Sequence, residues 1–468
     1  MNKNNTQGRA VAMLPFAVFI VIFLGVGLLL SNLGYEKPFA QFPASVGAYI
    51  ALMSAFLISK ESLQERFNTV INGIKPNIIV CVFILALAGA FASLTKTIGG
   101  VDSIVGLCLT YLPINYITAG VFIVGCVISF ASGTSIGTIA ALAPVALSVA
   151  GAANIPVPMM AATILGSACF GNGLSLISDC TIASTGVMGV ASGSAQKDKL
   201  VVHLMYAIPS VVITVIILLI FGRPSHAVEI ASYGFNLVLI LPYILVVFIA
   251  LRGINVMVAL TSGILLSSVI AVANGSFNVL EVIQAVASGM FNMANMILLM
   301  LFIAGMVAIV EKEGGLIWVV QKMKTMITGK RSAELVTLLL SVIATICVGH
   351  DTISIVSIGE IAKDISDEYE LDPRKMACFI QSGSAATAVL IPYTGVNITM
   401  WAFVASSGYS SGYVQGLPYT FYAFLILILT VVSTVVPFAE SYLSKRPWNF
   451  EHGCPESEVI NSSIEISN

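Results

Sequence analysis

The chain has 468 residues, of which 57% are hydrophobic and only 9% are charged, whereas a soluble globular protein carries about 25% charged residues. This composition, with a formal net charge of −2 and no basic tract, excludes a soluble globular protein, and no nucleic-acid partner is expected. The eight cysteines form no CxxC pair, so no metal cluster, disulfide framework or cofactor is predicted. We therefore expect a polytopic membrane protein in contact with the lipid bilayer.

Apolar runs follow one another along the chain. The first is interpreted as a retained span rather than a signal peptide, because no small-residue cleavage site follows it. Twelve runs are predicted as spans: Met13–Leu30, Pro43–Ser59, Asn77–Leu94, Ile117–Ser129, Ile136–Ala150, Leu200–Phe221, Phe235–Leu251, Val256–Ala273, Met293–Val310, Leu335–Val348, Thr352–Ile361 and Tyr419–Pro437. Five further pieces are interpreted as half-helices or re-entrant hairpins, since several are shorter than the ~20 residues of a span: Leu107–Leu112, Met159–Cys169, Leu174–Ala191, Met376–Ile391 and Val396–Ser407.

Basic residues in the short loops predict the orientation of the chain. They lie before the first span and after the second, at Lys3, Arg9, Lys60, Arg66 and Lys75. By the positive-inside rule, the N-terminus and the 60–76 loop are cytoplasmic, in a protein of the inner or plasma membrane. The basic loop at 322–331 is expected on the same side, and the polar segment 446–468 is expected to be a disordered cytoplasmic tail.

An internal repeat is visible at a separation of about 215 residues. Four blocks match: Ala86–Val101 with Leu301–Leu316, Phe130–Leu142 with Cys347–Gly359, Pro158 and the helix after it with Pro373, and Leu176–Thr181 with Leu390–Gly395. The span Asn77–Leu94 begins at a cytoplasmic loop, whereas Met293–Val310 ends at one, so the copies have opposite topology. The predicted fold class is an all-α polytopic membrane protein with two inverted-topology repeats, re-entrant hairpins and broken helices. Its parts are predicted as N-terminal spans 1–76, repeat one with linking helices 77–290, repeat two 291–445 and tail 446–468.

The segment FGNGLSLISDCTIAST, residues 170–185, places Asp179 between two apolar runs. An ionisable group inside a membrane segment is costly and usually lines an ion or substrate route. The glycines beside Asn172 are poor helix formers, and broken helices are tolerated at membrane depth only where they are buried or line a cavity. We predict an interrupted helix in which Asp179 binds Na⁺, with Asn172, Ser175 and Ser178 nearby. The alternative is an aspartate that caps a helix at the interface.

The two copies of the second matching segment also carry polar groups. In repeat one, Ser132, Thr134 and Ser135 break an apolar helix, and their hydroxyls can replace the hydration shell of a small cation. Packing of helices through small residues is the alternative. In repeat two, His350 and Asp351 occupy the same place; neighbours on a regular helix point about 100° apart, so only one of them need face a cavity. Capping of a helix end is the alternative for Asp351.

A second hairpin is predicted in repeat two, over Gln381–Asn397. Pro392 breaks the helix there, as the glycines do in repeat one. The polar residues that this segment adds to the predicted site are Ser382, Thr387, Thr394 and Asn397.

These motifs resemble a known family. FASGTSIGTIAALAP, FGNGLSLISD, GEIAKDI and LIPY are together similar to the NhaC-type sodium/proton antiporters of the ion transporter superfamily, over about residues 77–437. The resemblance implies that the hairpins and broken helices form the ion site, and that Asp179 matches the aspartate of that site. Relatives usually carry an acidic residue where Asn172 stands, and Asp351 is an addition to the pattern.

The leading functional prediction is a secondary active antiporter that exchanges Na⁺ for H⁺, because a carboxylate at the midplane can hold either ion but not both. The alternative is a Na⁺- or H⁺-coupled exchanger of small organic acids or amino acids, whose carboxylate would meet half-helix N-termini. A remote alternative is an intramembrane hydrolase with a serine–histidine pair or an aspartyl dyad. It is disfavoured because a hydrolase needs no inverted repeat, so no enzyme is expected. The sequence leaves open whether the chain forms a homodimer.

Overall fold

A computed structural model describes residues 8–33, 42–74, 76–111, 113–175, 178–191, 193–224, 235–252, 254–275, 277–436, 438, 440–450 and 452–456. Lys3, Lys75, positions 176 and 177 of the first hairpin and the tail from 457 onward lie outside these residues. Within them, seven helical segments are long and apolar enough to cross a membrane, or eight if one bent pair counts as a single span. The membrane character predicted from composition is confirmed.

The described residues are almost entirely helical. In repeat one and before it, the helices are α1 Leu14–Asn32, α2 Ala44–Ile58, α3 Leu63–Gly73, α4 Pro76–Thr97, α5 Gly100–Tyr111, α6 Ile117–Ser132, α7 Ser135–Ala152, α8 Val157–Leu174 and α9 Asp179–Val187. The linking helices are α10 Gly193–Phe221, α11 Leu237–Leu251, α12 Val256–Ala273 and α13 Val279–Asn292. Repeat two and the C-terminal part contain α14 Ala294–Lys312, α15 Gly315–Lys324, α16 Lys330–Val348, α17 Asp351–Glu368, α18 Pro373–Leu390, α19 Gly395–Ser406, α20 Tyr413–Gly416, α21 Phe421–Val432 and α22 Glu440–Leu443.

The two repeats are built alike at their breaks. Helix α6 ends at Gly133 and α16 at Gly349, and both glycines are left-handed, with φ of +66° and +70°. A left-handed residue ends a helix and suits glycine, because a side chain is strained there. The next residue, Thr134 or His350, has an extended backbone, and a second helix, α7 or α17, begins directly after it. Hairpin helix α8 is followed by α9, and α18 by α19, at the same separation. The predicted inverted repeat with broken helices and hairpins is confirmed.

The hairpin helices form the centre of the molecule. Every residue of α18 from Pro373 to Val389 is buried, and α8 is buried over nearly its whole length. Helix α9 of repeat one packs against α17 of repeat two, and α19 of repeat two packs against α7 of repeat one. Large apolar side chains such as Leu57 and Val21 are exposed on the outside, where lipid would cover them. The two repeats therefore meet through their breaks, in the middle of the protein.

Some segments were predicted differently. Residues 63–73, interpreted as loop, form the helix α3, whose Ser62 and Glu65 make a reciprocal capping box. Helices α13 and α15 were also missed, because polar residues interrupt their apolar pattern.

The beginning of the predicted disordered tail is ordered: strands β1 Trp448–Asn449 and β2 Cys454–Pro455 pair antiparallel. The physical reason is an ion pair of Arg446 with buried Asp198, at 2.9 Å.

Lys96 and Lys312 provide a test of the inverted topology. Both are exposed, one at the end of α4 and the other at the end of α14. Because the repeats are inverted, a single cysteine at position 96 and one at position 312 are expected to react with an impermeant thiol reagent from opposite sides of the membrane. The measurement is labelling of intact cells and of everted vesicles, in a background whose native cysteines do not react. Labelling of both positions from one side would contradict the prediction.

Candidate functional site

The breaks of the two repeats surround one cavity. Four helices begin at its wall: α7 and α9 of repeat one, and α17 and α19 of repeat two. The cavity has a volume of about 600 Å³ and continues toward Asn255 at the start of α12. No lysine or arginine lies among the described residues that line it. Since helix N-termini carry partial positive charge, this convergence stabilises negative charge at the centre of the cavity.

Asp179 is the first residue of α9 and is exposed to this cavity. Its Oδ1 accepts a hydrogen bond of 2.9 Å from the backbone N–H of Cys180. Its Oδ2 accepts one of 2.8 Å from Thr352 Oγ1, which belongs to the other repeat. Asp179 thus begins a short helix at the cavity wall and is bonded both within that helix and to the other repeat.

Asp351 is the first residue of α17 and is more enclosed, with 7% of its surface exposed. Its Oδ1 accepts from the Thr352 N–H at 2.9 Å, and its Oδ2 accepts from Asn172 Nδ2 at 2.9 Å. Asn172 in turn accepts a hydrogen bond from Ser178 Oγ and donates a long one, 3.3 Å, to Cys180 Sγ. The two carboxylates thus belong to one hydrogen-bonded cluster that joins α9 to α17.

His350 also faces the cavity, which differs from the expectation that only one of the pair would. It precedes the helix and has an extended backbone, with φ −145° and ψ 128°. The helical spacing of about 100° between neighbours therefore does not apply. Its Nδ1 lies 3.2 Å from Asp351 Oδ1. His350 and Asp351 are consequently adjacent at the wall.

The three hydroxyl residues of the first break also line the cavity. Thr134 precedes α7 and has the same extended backbone as His350. Ser132 Oγ accepts from the Thr134 N–H at 3.4 Å, and Ser135 Oγ donates to the Ala168 carbonyl at 3.3 Å. Their position fits both predicted roles, ion binding and packing, because Ser135 also joins α7 to α8.

The remaining predicted residues divide into lining and supporting positions. Thr394 lines the cavity, but its hydroxyl donates to the carbonyls of Ala388 and Ile391. Asn397 donates to three carbonyls at the end of α18, between 2.6 and 3.0 Å away, and so closes the hairpin break. Ser175, Ser178, Ser382 and Thr387 are buried and are not part of the cavity lining.

Sequence reasoning missed several residues of the cluster. Thr352 and Cys180 each follow an aspartate and join the two helices, with Cys180 Sγ 3.3 Å from Thr352 Oγ1. Gln381 of α18 donates to the Asn172 carbonyl at 3.0 Å and to Thr181 Oγ1 at 2.8 Å, and it accepts from buried Lys199. The sequence signal for these residues is a polar side chain inside an apolar helix. That signal marks a candidate site residue but does not show which residues of other helices it contacts.

Comparison with known proteins identifies the family to which the chain belongs. The sequence profile of the Na⁺/H⁺ antiporter family matches residues 10–223 and 226–437. The chain is 23% identical to the malate-2H⁺/Na⁺-lactate antiporter of Bacillus subtilis (strain 168) over 485 aligned residues, covering 96% of this chain and 99% of that protein. It is 21% identical to the Na⁺/H⁺ antiporter NhaC of the same organism, over 77% of this chain and 84% of that one.

Among solved structures, the YdaH transporter of Alcanivorax borkumensis is similar at 16% identity and a TM-score of 0.42, over 92% of this chain and 99% of that one. The family profile covers nearly the whole helical part of the chain, including both hairpins and both broken helices. The chain belongs to the Na⁺/H⁺ antiporter family, of the NhaC type.

Proposed function

We propose that the protein is a secondary active antiporter that exchanges Na⁺ for H⁺ at the carboxylates of Asp179 and Asp351. The observation that carries the proposal is their arrangement: one aspartate from each repeat, at the N-termini of two packed helices, in a cavity with no lysine or arginine among its described lining residues. Asp179 is the carboxylate that cation and proton share. Asp351, more enclosed and bonded to Asn172, tunes the charge beside it.

The chemistry of coupling follows from the cost of a charge inside the membrane. Two carboxylates in one cluster repel each other unless a cation or a proton neutralises part of their charge. Na⁺ takes oxygen ligands, and the oxygens that line the cavity belong to the carboxylates of Asp179 and Asp351 and to the hydroxyls of Ser132, Thr134 and Ser135. Na⁺ and H⁺ compete for the same carboxylate. The site therefore opens to alternate sides of the membrane with either Na⁺ or H⁺ bound, as one helix bundle moves against the second bundle.

A second candidate is a coupled exchanger of small organic acids or amino acids. The N-termini of α7 and α19 face the cavity at Ser135 and Gly395 and carry no acidic residue in their first turn. Such N-termini bind carboxylates, and a volume of about 600 Å³ exceeds what a bare cation needs. The similarity to a malate/lactate antiporter agrees with this candidate.

Transport in everted vesicles or proteoliposomes separates these candidates. For the leading proposal, added Na⁺ is expected to drive a proton flux that is abolished when the ion gradients collapse, with no organic substrate present. A flux that requires malate, lactate or an amino acid would favour the second candidate. Turnover that persists without any gradient would point to a hydrolase and contradict both.

The hydroxyl residues of the first break supply a further prediction. Ser132→Ala, Thr134→Val and Ser135→Ala are expected to raise the apparent KM for Na⁺ several-fold, since each removes an oxygen from the cavity wall while the size of the residue is nearly kept. Expression is expected to stay close to that of the wild type. The measurement is Na⁺-dependent proton flux as a function of Na⁺ concentration. Unchanged KM values in all three variants would assign the hydroxyls to helix packing.

A further inference from the structure

A second, much narrower passage reaches the site from another direction. It runs along one face of α14, whose residues Met300, Ile303, Ala304, Val307, Ala308 and Glu311 line it. These positions recur at helical spacing, and eleven residues of α-helix span roughly 16 Å. At one end lie Gly349, His350 and Gly395, which also line the large cavity; at the other lies Glu311. We propose that this groove is a proton path, separate from the cation route, in which Glu311 passes protons to His350.

The size of the groove favours protons over cations. Its free volume is about 50 Å³, compared with about 600 Å³ in the large cavity. One water molecule needs about 10–15 Å³ of free volume. The groove therefore holds a single file of a few waters but is too small for a hydrated Na⁺. Half of its fourteen described lining residues are alanine, valine or isoleucine, whose side chains offer no oxygen ligands to a bare Na⁺.

The groove is closed on its other side by the end of α3. A Cβ atom at Gly73 would lie only 2.1 Å from the Cβ of Ala308, so these two helices touch at that position. Gly73 and Ile78 complete the wall opposite α14. The groove therefore lies between α14 on one side and the end of α3 and the start of α4 on the other.

Glu311 is the acid of its neighbourhood that faces the groove. The next residue, Lys312, donates to Glu61 at 2.6 Å on the exposed surface. Glu313 accepts from Ser59 at 2.6 Å and pairs with Arg9. Of these three charged residues, only Glu311 is among the described residues that line the groove.

At the inner end, His350 provides the transfer to the site. It lines both the groove and the large cavity, and its Nδ1 lies 3.2 Å from Asp351 Oδ1. An imidazole can accept a proton at one ring nitrogen and release one from the other. The net step therefore moves one proton from Glu311, through water and His350, to the carboxylate pair of Asp351 and Asp179, and Glu311 then takes up a new proton from water. Among the described residues, further titratable groups around the path are Tyr393 in the wall, Cys347 near Glu311, and Asp179 near His350.

The inference rests on the proposed Na⁺/H⁺ exchange, and two fluxes test it. Purified protein in liposomes is assayed for exchange of radioactive Na⁺ against unlabelled Na⁺, which requires no proton, and for Na⁺-driven proton flux measured with an internal pH dye. Glu311→Gln is expected to leave Na⁺/Na⁺ exchange within about twofold and to lower Na⁺/H⁺ exchange by at least about tenfold. Glu311→Asp keeps a carboxylate and is expected to restore part of the proton flux.

A second variant tests the passage without changing any charge. Ala304→Leu fills the groove midway and is expected to give the same selective loss of proton flux. Glu360→Gln, at an exposed carboxylate of α17, is the matched control and should leave both fluxes unchanged. Wild-type proton flux in Glu311→Gln would overturn the proton path but not the proposed function. An equal loss of Na⁺/Na⁺ exchange and of Na⁺/H⁺ exchange in both Glu311→Gln and Ala304→Leu would do the same. Absence of any Na⁺-dependent flux in the wild type would overturn the proposed function and the path together.

Discussion

Asp179→Asn is expected to abolish Na⁺-dependent proton flux while the protein still inserts and folds. Asparagine keeps the size of the side chain and one acceptor oxygen, so the hydrogen bond from Thr352 Oγ1, 2.8 Å in the wild type, can persist. The substitution removes the negative charge and the titration that Na⁺ and H⁺ share.

Asp351→Asn is the matched variant, since the two aspartates occupy the same position of two packed helices. Asp351 has 7% of its surface exposed, and its Oδ2 accepts from Asn172 Nδ2. We expect this variant to change the pH dependence of exchange and to keep a measurable flux. Both variants are assayed as proton flux in everted vesicles from acid to alkaline pH. Wild-type flux in Asp179→Asn would refute the mechanism, and complete loss in Asp351→Asn alone would reverse the roles of the two residues.

Much of the fold was predictable because the breaks leave a mark in the sequence. Gly133 and Gly349 both stand after an apolar helix and before a polar residue, and the repeat aligns them. An ionisable residue in an apolar segment, such as Asp179, is rare enough to be noticed alone. The sequence therefore predicted the repeats, the hairpins and the segments that surround the cavity.

Contacts across the repeats were not predictable in the same way. Thr352 meets Asp179, and Gln381 meets Thr181, only because α9 packs against α17 and α18. No periodicity in one helix specifies which residue of another helix lies opposite. The same holds for Asn397, whose polarity suggested a ligand but whose amide closes the end of α18.

The ordered start of the C-terminal segment depends on a buried network of charges that polarity alone did not reveal. Arg374, at the start of α18, is fully buried and donates to Asp198 at 2.9 Å and to Asp372 at 2.6 Å. It also donates to the Arg446 carbonyl at 2.7 Å, and its guanidinium lies 5.5 Å from the centre of the Trp448 ring. The network thus joins α10, the central hairpin helix α18 and the segment that leads to β1.

Arg374→Met is therefore expected to lower the free energy of unfolding by about 3–5 kcal/mol, because Asp198 would keep a buried charge with one partner fewer. Arg374→Lys should give a smaller loss, since an ammonium cannot bind the two carboxylates and the carbonyl with the planar geometry of a guanidinium. The control is Lys330→Met, which breaks an exposed pair with Glu370 at 3.3 Å and should cost at most about 1 kcal/mol. The measurement is thermal unfolding of the purified protein in detergent. Equal melting temperatures for Arg374→Met and Lys330→Met would show that the buried network does not stabilise the central hairpin.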